Sequence, residues 1–335
     1  MDGKIKKRKI KKYFIFILLT LFFNGCLIKY YGKKEIIIIN PYENINWNTI
    51  KKYKANFHTH TKESDGKETP EKVISLYKMK NYSILSITDH NKLTFIKTEE
   101  LFLIPGIEFG KNQQHHIISL FSFKTPEKIE TINEEEILKY VDEKKGISFF
   151  SHPGRYTKSV DWYLNLFEKY QNLVGIEVLN PSVQTKGKVY GDTDIWDEIL
   201  KNTMPDRPVW GFGNDDFHNL SQLGINWNIL LLEKLDEKEI REAIKMGKFY
   251  ICSSFLGTDL PYLKKVIVNK KTGKIKIDCE NFEKIKWISD GKIISHGSEI
   301  NYKNNHEIKK YLRVEIFSKN GYIYLNPFGI REVKK

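Results

Sequence analysis

The histidines of this 335-residue chain recur just past short apolar runs, and that placement constrains the fold more than any other feature. His58 and His60 follow the run Ala55–Phe57, His90 follows Ser83–Thr88, His152 closes the run that starts at Ile147, and His218 lies beyond Val209–Gly213. His115 and His116 open the run that ends at Phe121, and Leu101–Phe109 reads as one further strand. Between these runs lie segments of helical spacing: Pro70–Tyr82 with Thr69 as its cap, Glu134–Lys145 stopped by Gly146, Val160–Gln171, Asp194–Lys201 and Asp236–Met246. Strands alternating with helices predict a parallel α/β architecture, and about seven such strands can close as a barrel. Strand C-terminal ends then open on one face, where side chains distant in sequence converge.

After about Tyr250 the rhythm changes to short alternating runs separated by Lys-Thr-Gly, Ser-Asp-Gly and Lys-Asn-Gly turns, the pattern of a small antiparallel β domain. Hydrophobic residues at 40% and aromatics at 13% suffice for a packed core. Of the formal net charge of +13, six charges sit in residues 1–12, and the remaining +7 is spread without a dense basic block. No nucleic-acid partner is expected on that ground; the mildly basic surface favours a small anionic substrate. The basic start precedes an apolar run, Tyr13–Phe23, too short to cross a bilayer and suited to a signal peptide. Its Gly25-Cys26 end resembles a bacterial lipoprotein lipobox, with Cys26 as the lipidated residue, although Phe23 and Asn24 depart from the usual pattern. A membrane-anchored exported lipoprotein is expected, with a plain secretory signal or an uncleaved anchor as alternatives. In that compartment Cys252 and Cys279 either pair or remain separate thiols.

His58-Thr59-His60 places two imidazoles on one side of an extended strand, because side chains alternate with period two. Asp216-Phe217-His218 repeats the spacing with one carboxylate. Imidazole and carboxylate together suit Zn, Mn or Fe ions. Neither a Ser or Cys nucleophile constellation nor a Gly-rich phosphate loop is recognisable.

The segments FHTHTKESDGKETP (57–70), SILSITDHN (83–91), IPGIEF (104–109), HHIISLF (115–121), SHPGR (151–155), GIEVLN (175–180) and GNDDFH (213–218) resemble the PHP superfamily, named for polymerase and histidinol phosphatase. The likeness covers roughly residues 54–250. It implies a distorted seven-stranded βα barrel holding two or three divalent metal ions. The implied ligands are His58, His60, Asp65, His90, Glu108, His116 (preferred over His115 by register), His152, Asp216 and His218. Asp89 and Asp215 are expected to orient water or a ligand, and Asp89 to take part in catalysis. Gly247–Tyr250, Trp287, Asp290-Gly291 and the stretch 311–330 resemble the carbaryl-hydrolase-type branch. The expected organisation is a signal and lipobox over 1–26, a spacer over 27–52, the metallohydrolase barrel over 53–250 and the β-sandwich-like domain over 251–335.

Arg155 follows the His152-Pro153-Gly154 turn, which suits a charge-assisted grip on a substrate phosphate or carboxylate. Gly211 and Gly213 are expected either to let the backbone approach the metals or to serve as strand-end turn residues. The expected activity is metal-dependent hydrolysis of small phosphate esters by an activated water. Hydrolysis of carboxylic esters, carbamates or amides, and a non-catalytic surface binding module, are the alternatives.

Overall fold

Caps and stops written into the sequence set the helices. In the computed structural model, Thr69, Asn133, Ser159 and Asp236 each accept a backbone N–H with their side chains at a helix start. Asn133 and Glu136 complete a reciprocal capping box. Gly247 ends the last helix in the left-handed region that glycine tolerates. The structure describes residues 34–111, 114–126, 132–181, 192–254, 258 and 260–334. The targeting segment with Cys26 lies outside them.

The elements are β1 (Lys34–Ile39), β2 (Lys51–Asn56), α1 (Pro70–Met79), β3 (Ile84–Leu85), β4 (Phe102–Leu103), β5 (Gly106–Phe109), β6 (Ile117–Leu120) and α2 (Glu134–Glu143). There follow β7 (Ile147–Phe150), α3 (Val160–Lys169), β8 (Leu173–Leu179), α4 (Thr193–Thr203), β9 (Trp210–Gly213), β10 (Asn226–Leu232), α5 (Glu237–Met246) and β11 (Phe249–Ser254). The last strands are β12 (Tyr262–Asn269), β13 (Lys274–Glu280), β14 (Lys284–Ser289), β15 (Lys292–His296), β16 (Glu299–Asn301), β17 (Tyr311–Phe317) and β18 (Gly321–Lys334). The run Leu101–Phe109, expected as one strand, breaks at Pro105, which has no N–H to give a ladder.

One sheet runs β15-β14-β17-β18-β11-β10-β2-β3-β4, a second β5-β6-β7-β8-β9, and a third β12-β13-β16. Only part of this is parallel: β2, β3 and β4 pair in parallel, as do β7, β8 and β9, whereas β5-β6-β7 and β2-β10-β11 are antiparallel. The architecture is a mixed α/β fold of several sheets rather than a purely parallel one. The first two sheets meet at isolated parallel bridges, Thr59 with Phe217 and His90 with Glu108.

Helices α2, α3 and α4 bury Ile137, Val141, Phe167, Trp196 and Leu200 in one core with Ile107, Phe150 and Ile176. Phe57, Ile84, Ile118, Phe149, Phe212 and Leu230 form another. Full burial of such a side chain contributes about 1.5–3 kcal/mol. Elsewhere side-chain amides stand in for a ladder: Asn228 bonds both the N–H and the C=O of Gly213, and Asn326 accepts from the N–H of Gly211. A Cβ on Gly213 would lie 2.2 Å from Ile251 Cγ2, and one on Gly211 2.9 Å from Trp196. Both glycines therefore admit a close-packed neighbour, in place of the expected metal approach or turn.

The described residues 34–37 and 332–334 belong to one unit, and Ile38–Arg331 form the other. The boundary expected at 250 falls within β11, which pairs with β10 on one side and β18 on the other. Within the expected spacer, Ile38 and Tyr42 are buried, and the Tyr42 hydroxyl donates to Phe249 O. Cys252 and Cys279 are both free thiols. Among the described residues no helix is long and apolar enough to cross a membrane.

Candidate metal centre

The site is built where strands end. His60 N–H bonds Phe217 O at 2.8 Å, joining the segment after β2 to the one after β9. The loop from Thr61 to Asp65 is held by Asp89, which accepts from Thr61 N, Thr61 Oγ1 and Ser64 Oγ, each at 2.7 Å. The loop folds so tightly that a Cβ on Gly66 would lie 2.5 Å from His60 O, so only glycine fits there. Asn91 N–H donates to Glu108 O at 2.9 Å, tying His90 to β5. His152 and Asp216 both have positive φ, 31° and 47°, a conformation disfavoured for residues with a Cβ.

His58 Nε2, His60 Nε2, Glu108 Oε2 and Asp216 Oδ1 crowd together. The histidine atoms are 3.1 Å apart, and each lies 3.0 Å from Glu108 Oε2 and 3.1–3.2 Å from Asp216 Oδ1. All four residues are buried. Among the described residues, Glu108 Oε2 and Asp216 Oδ1 nevertheless have no aligned hydrogen-bond donor. Buried carboxylate oxygens without partners are costly, and acceptors this close repel one another unless protons or a metal cation lie among them. Atoms with this spacing around a tetrahedral centre would lie about 1.9 Å from it, near the ~2.0–2.2 Å of zinc–nitrogen and zinc–oxygen bonds. The donor set fits a divalent ion.

Glu108 faces a second group with its other oxygen. Oε1 lies 3.0 Å from His116 Nδ1, 3.1 Å from His152 Nε2 and 2.9 Å from Ser151 Oγ. A third group is more open: Asp65 Oδ2 lies 3.2 Å from His218 Nε2 and 3.5 Å from His90 Nε2, and the Asp65 side chain is 51% exposed. Among the described residues, three clusters have a geometry that could hold a metal ion: His58, His60, Glu108 and Asp216; His90, Glu108 and His116; and His60, Asp65, His90 and His218. The structure thus brings all nine expected ligands together, with His152 joining through Glu108.

Electrostatics follow the same grouping. Burial would raise Glu108 and Asp216, but the facing histidines, His58 foremost, hold both below the usual carboxylate range. Burial would lower His58 and His60, yet the same carboxylates push both up, His60 to about 9.

Other expected residues are placed differently. Arg155 Nη2 donates to Asp216 Oδ2 at 2.7 Å, so its position is set by a protein carboxylate. Both oxygens of Asp89 are taken by the 61–64 loop, so it braces Asp65's loop instead of facing the reacting groups. Asp215 accepts from Tyr77 Oη and from the N–H groups of Gly224, Ile225 and Asn226, bracing the segment before β10. His115 lies in the core, bonded to Tyr163 Oη at 2.8 Å and stacked on Tyr156. Burial pushes its pKa well down. Glu177 was not among the expected site residues. It is fully buried in β8 and accepts from His58 Nδ1 at 2.8 Å and His152 N at 2.9 Å. A charged residue inside the apolar run Val174–Leu179 was the signal that could have found it.

No protein-family model matches the chain, and no curated protein does. Among solved structures, the chain is similar to a two-domain protein from Bacteroides vulgatus ATCC 8482 containing a predicted PHP-like metal-dependent phosphoesterase. That likeness has 13% identity over 90% of this chain and 91% of the other, with a TM-score of 0.49. The lesion-specific endonuclease EndoQ of Pyrococcus furiosus aligns at 16% identity over 58% of this chain and 56% of its own, with a TM-score of 0.41. An amidohydrolase from Chromobacterium violaceum, with bound sulfate and no metal, aligns at 15% identity over 49% and 87%, with a TM-score of 0.35.

Proposed function

We propose that the chain is a PHP-type metal-dependent phosphoesterase acting on small phosphate esters, exported and anchored through Cys26. The observation that carries the metal-dependent part is the pair of buried, partnerless oxygens, Glu108 Oε2 and Asp216 Oδ1, each within 3.2 Å of two imidazole nitrogens. The bridges Thr59–Phe217 and His90–Glu108 support a ring of β2, β3 and β5–β9, the seven-stranded barrel of that superfamily.

In this reading His58, His60, Glu108 and Asp216 hold one ion, Glu108, His116 and His152 a second, and Asp65, His90 and His218 a third. Divalent ions bound there supply neutralisation of phosphoryl oxygens and acidification of water. The protein's residues do the positioning. Glu108 spans two sets with its two oxygens, fixing their separation. Asp65, His90 and His218 form the side open to solvent, where an anionic ester can arrive. Arg155, 37% exposed in its side chain, sets Asp216 and adds positive charge at the rim.

The test is metal analysis of the purified protein together with hydrolysis of p-nitrophenyl phosphate, bis(p-nitrophenyl) phosphate and p-nitrophenyl acetate. Metal-dependent turnover of a phosphate substrate, lost in His60→Ala and Glu108→Ala, is the expected result. Turnover of the acetate alone would instead favour a carboxylic-ester hydrolase. Stoichiometric metal with no turnover of any substrate would favour a binding module. Palmitate labelling abolished by Cys26→Ala tests the anchor.

A further inference from the structure

Glu177 stands at the junction of two ligand groups. Its Oε1 accepts from His58 Nδ1 and from Asn214 Nδ2, both at 2.8 Å. Its Oε2 accepts from His152 N at 2.9 Å and Asn180 Nδ2 at 3.0 Å. Four N–H donors converge on two oxygens inside the protein, so the carboxylate is satisfied as an anion without touching any proposed ion.

Each of these bonds acts on a ligand. A proton fixed on His58 Nδ1 leaves Nε2 as that ring's only coordinating nitrogen, and Nε2 is the atom that faces His60, Glu108 and Asp216. The bond to His152 N holds a backbone at φ 31° and ψ 58°, a left-handed conformation that is strained for a residue with a Cβ. That conformation aims the ring so that Nε2 meets Glu108 Oε1 at 3.1 Å. Asn214 anchors the carboxylate in turn, because its Oδ1 accepts from Phe57 N and from Asn228 Nδ2. The third group, Asp65, His90 and His218, makes no hydrogen bond with Glu177 among those observed in the described residues.

We infer that Glu177 is a positioning residue shared by the first two ligand sets, fixing the ring tautomer of His58 and the backbone of His152, and that the third set is independent of it. This rests on the reading of those sets as metal ligands. Glutamine at 177 would keep one acceptor oxygen for four donors and would turn an NH2 group toward two of them.

The test is stepwise zinc titration of metal-free protein against a chromogenic chelator, comparing the natural chain with Glu177→Gln. We expect the two tighter steps to weaken about 10- to 100-fold, as is usual when a ligand's hydrogen-bond partner is lost. The weakest step, that of the open set, stays within about two-fold. Equal weakening of every step would reduce Glu177 to a general structural role, and unchanged affinities would overturn the inference. Failure of the natural chain to bind zinc would sink the metal reading itself, a separate outcome. A second measurement needs no variant: 15N-labelled histidine in the zinc-loaded natural chain should show His58 protonated at Nδ1 and coordinated at Nε2. The opposite assignment overturns the inference even if Glu177→Gln does not fold.

Discussion

Arg155 Nη2 donates to Asp216 Oδ2 across 2.7 Å, while the other oxygen of Asp216 faces His58 and His60. The arginine expected to grip substrate thus fixes the carboxylate that completes the first proposed ligand set. Charge-assisted hydrogen bonds contribute about 1.5–3 kcal/mol, so Arg155→Ala should lower kcat/KM by about 10- to 100-fold. It should also weaken the first metal-binding step, which loss of a substrate contact alone would not do. Arg155→Lys should restore part of the metal affinity. A normal zinc titration with a raised KM would mean that the guanidinium acts on substrate only.

Asp192 precedes α4 and accepts from Gly154 N at 2.5 Å, with its second oxygen buried and without a hydrogen-bond partner among the described residues. Burial pushes its pKa up to about 7, outweighing the Gly154 bond. Because the folded value lies above the ordinary 3.8, the folded protein holds a proton there that the unfolded chain has already released. The stabilising effect is complete below about pH 4 and disappears as pH rises through about 7. Asp192→Asn keeps an oxygen for Gly154 N and removes the charge. Chemical unfolding at pH 5 and pH 8 should show the variant gaining on the natural chain by a few kcal/mol more at pH 8 than at pH 5. An equal difference at both pH values would contradict this.

The grouping of the histidines was legible because strand ends in α/β folds share a face, so His58, His60, His90, His152 and His218 could be placed together without knowing the strand order. Their supports were not. Asp89 reads as a catalytic candidate beside His90, but its oxygens go to Thr61 and Ser64, contacts that depend on how the 61–68 loop folds. Glu177 escaped because its partners, His58, His152, Asn180 and Asn214, come from three other segments as well as its own. The antiparallel pairing of β5, β6 and β7 was equally hidden, since a short buried run looks alike in either direction.

His115 and His116 are adjacent but differ in chemistry, and substitution should separate them. His116 Nδ1 lies 3.0 Å from Glu108 Oε1, whereas His115 Nε2 bonds the Tyr163 hydroxyl and its ring stacks on Tyr156. His116→Ala should remove about one equivalent of metal and most of the activity. His115→Phe keeps the stacking but leaves the buried Tyr163 hydroxyl without its partner, costing about 1–3 kcal/mol. Metal content should then be unchanged, with a melting temperature a few degrees lower. Loss of metal in His115→Phe would make it a ligand.

The crowding of His58 and His60 against Glu108 and Asp216 makes protons and metal ions competitors for one position. In the metal-free chain burial would lower His60, but the facing carboxylates of Asp216 and Glu108 push it up to about 9, and His58 moves in the same direction. A value raised above the ordinary 6.5 means that the protonated rings stabilise the metal-free protein fully below that pH and lose the effect as pH rises through about 9. A coordinating imidazole must be neutral, so ion binding near pH 7 has to expel these protons. Calorimetric zinc titrations in buffers of different ionisation enthalpy should therefore reveal release of about one or two protons with the tightest step. The affinity of that step should climb roughly tenfold per pH unit or more between about pH 6.5 and 9. Asp216→Asn removes one of the charges that hold the protons and one of the proposed ligands. It should reduce both the proton release and the affinity. Heats independent of buffer, with an affinity flat across that range, would show that the four residues are not a shared proton and metal site.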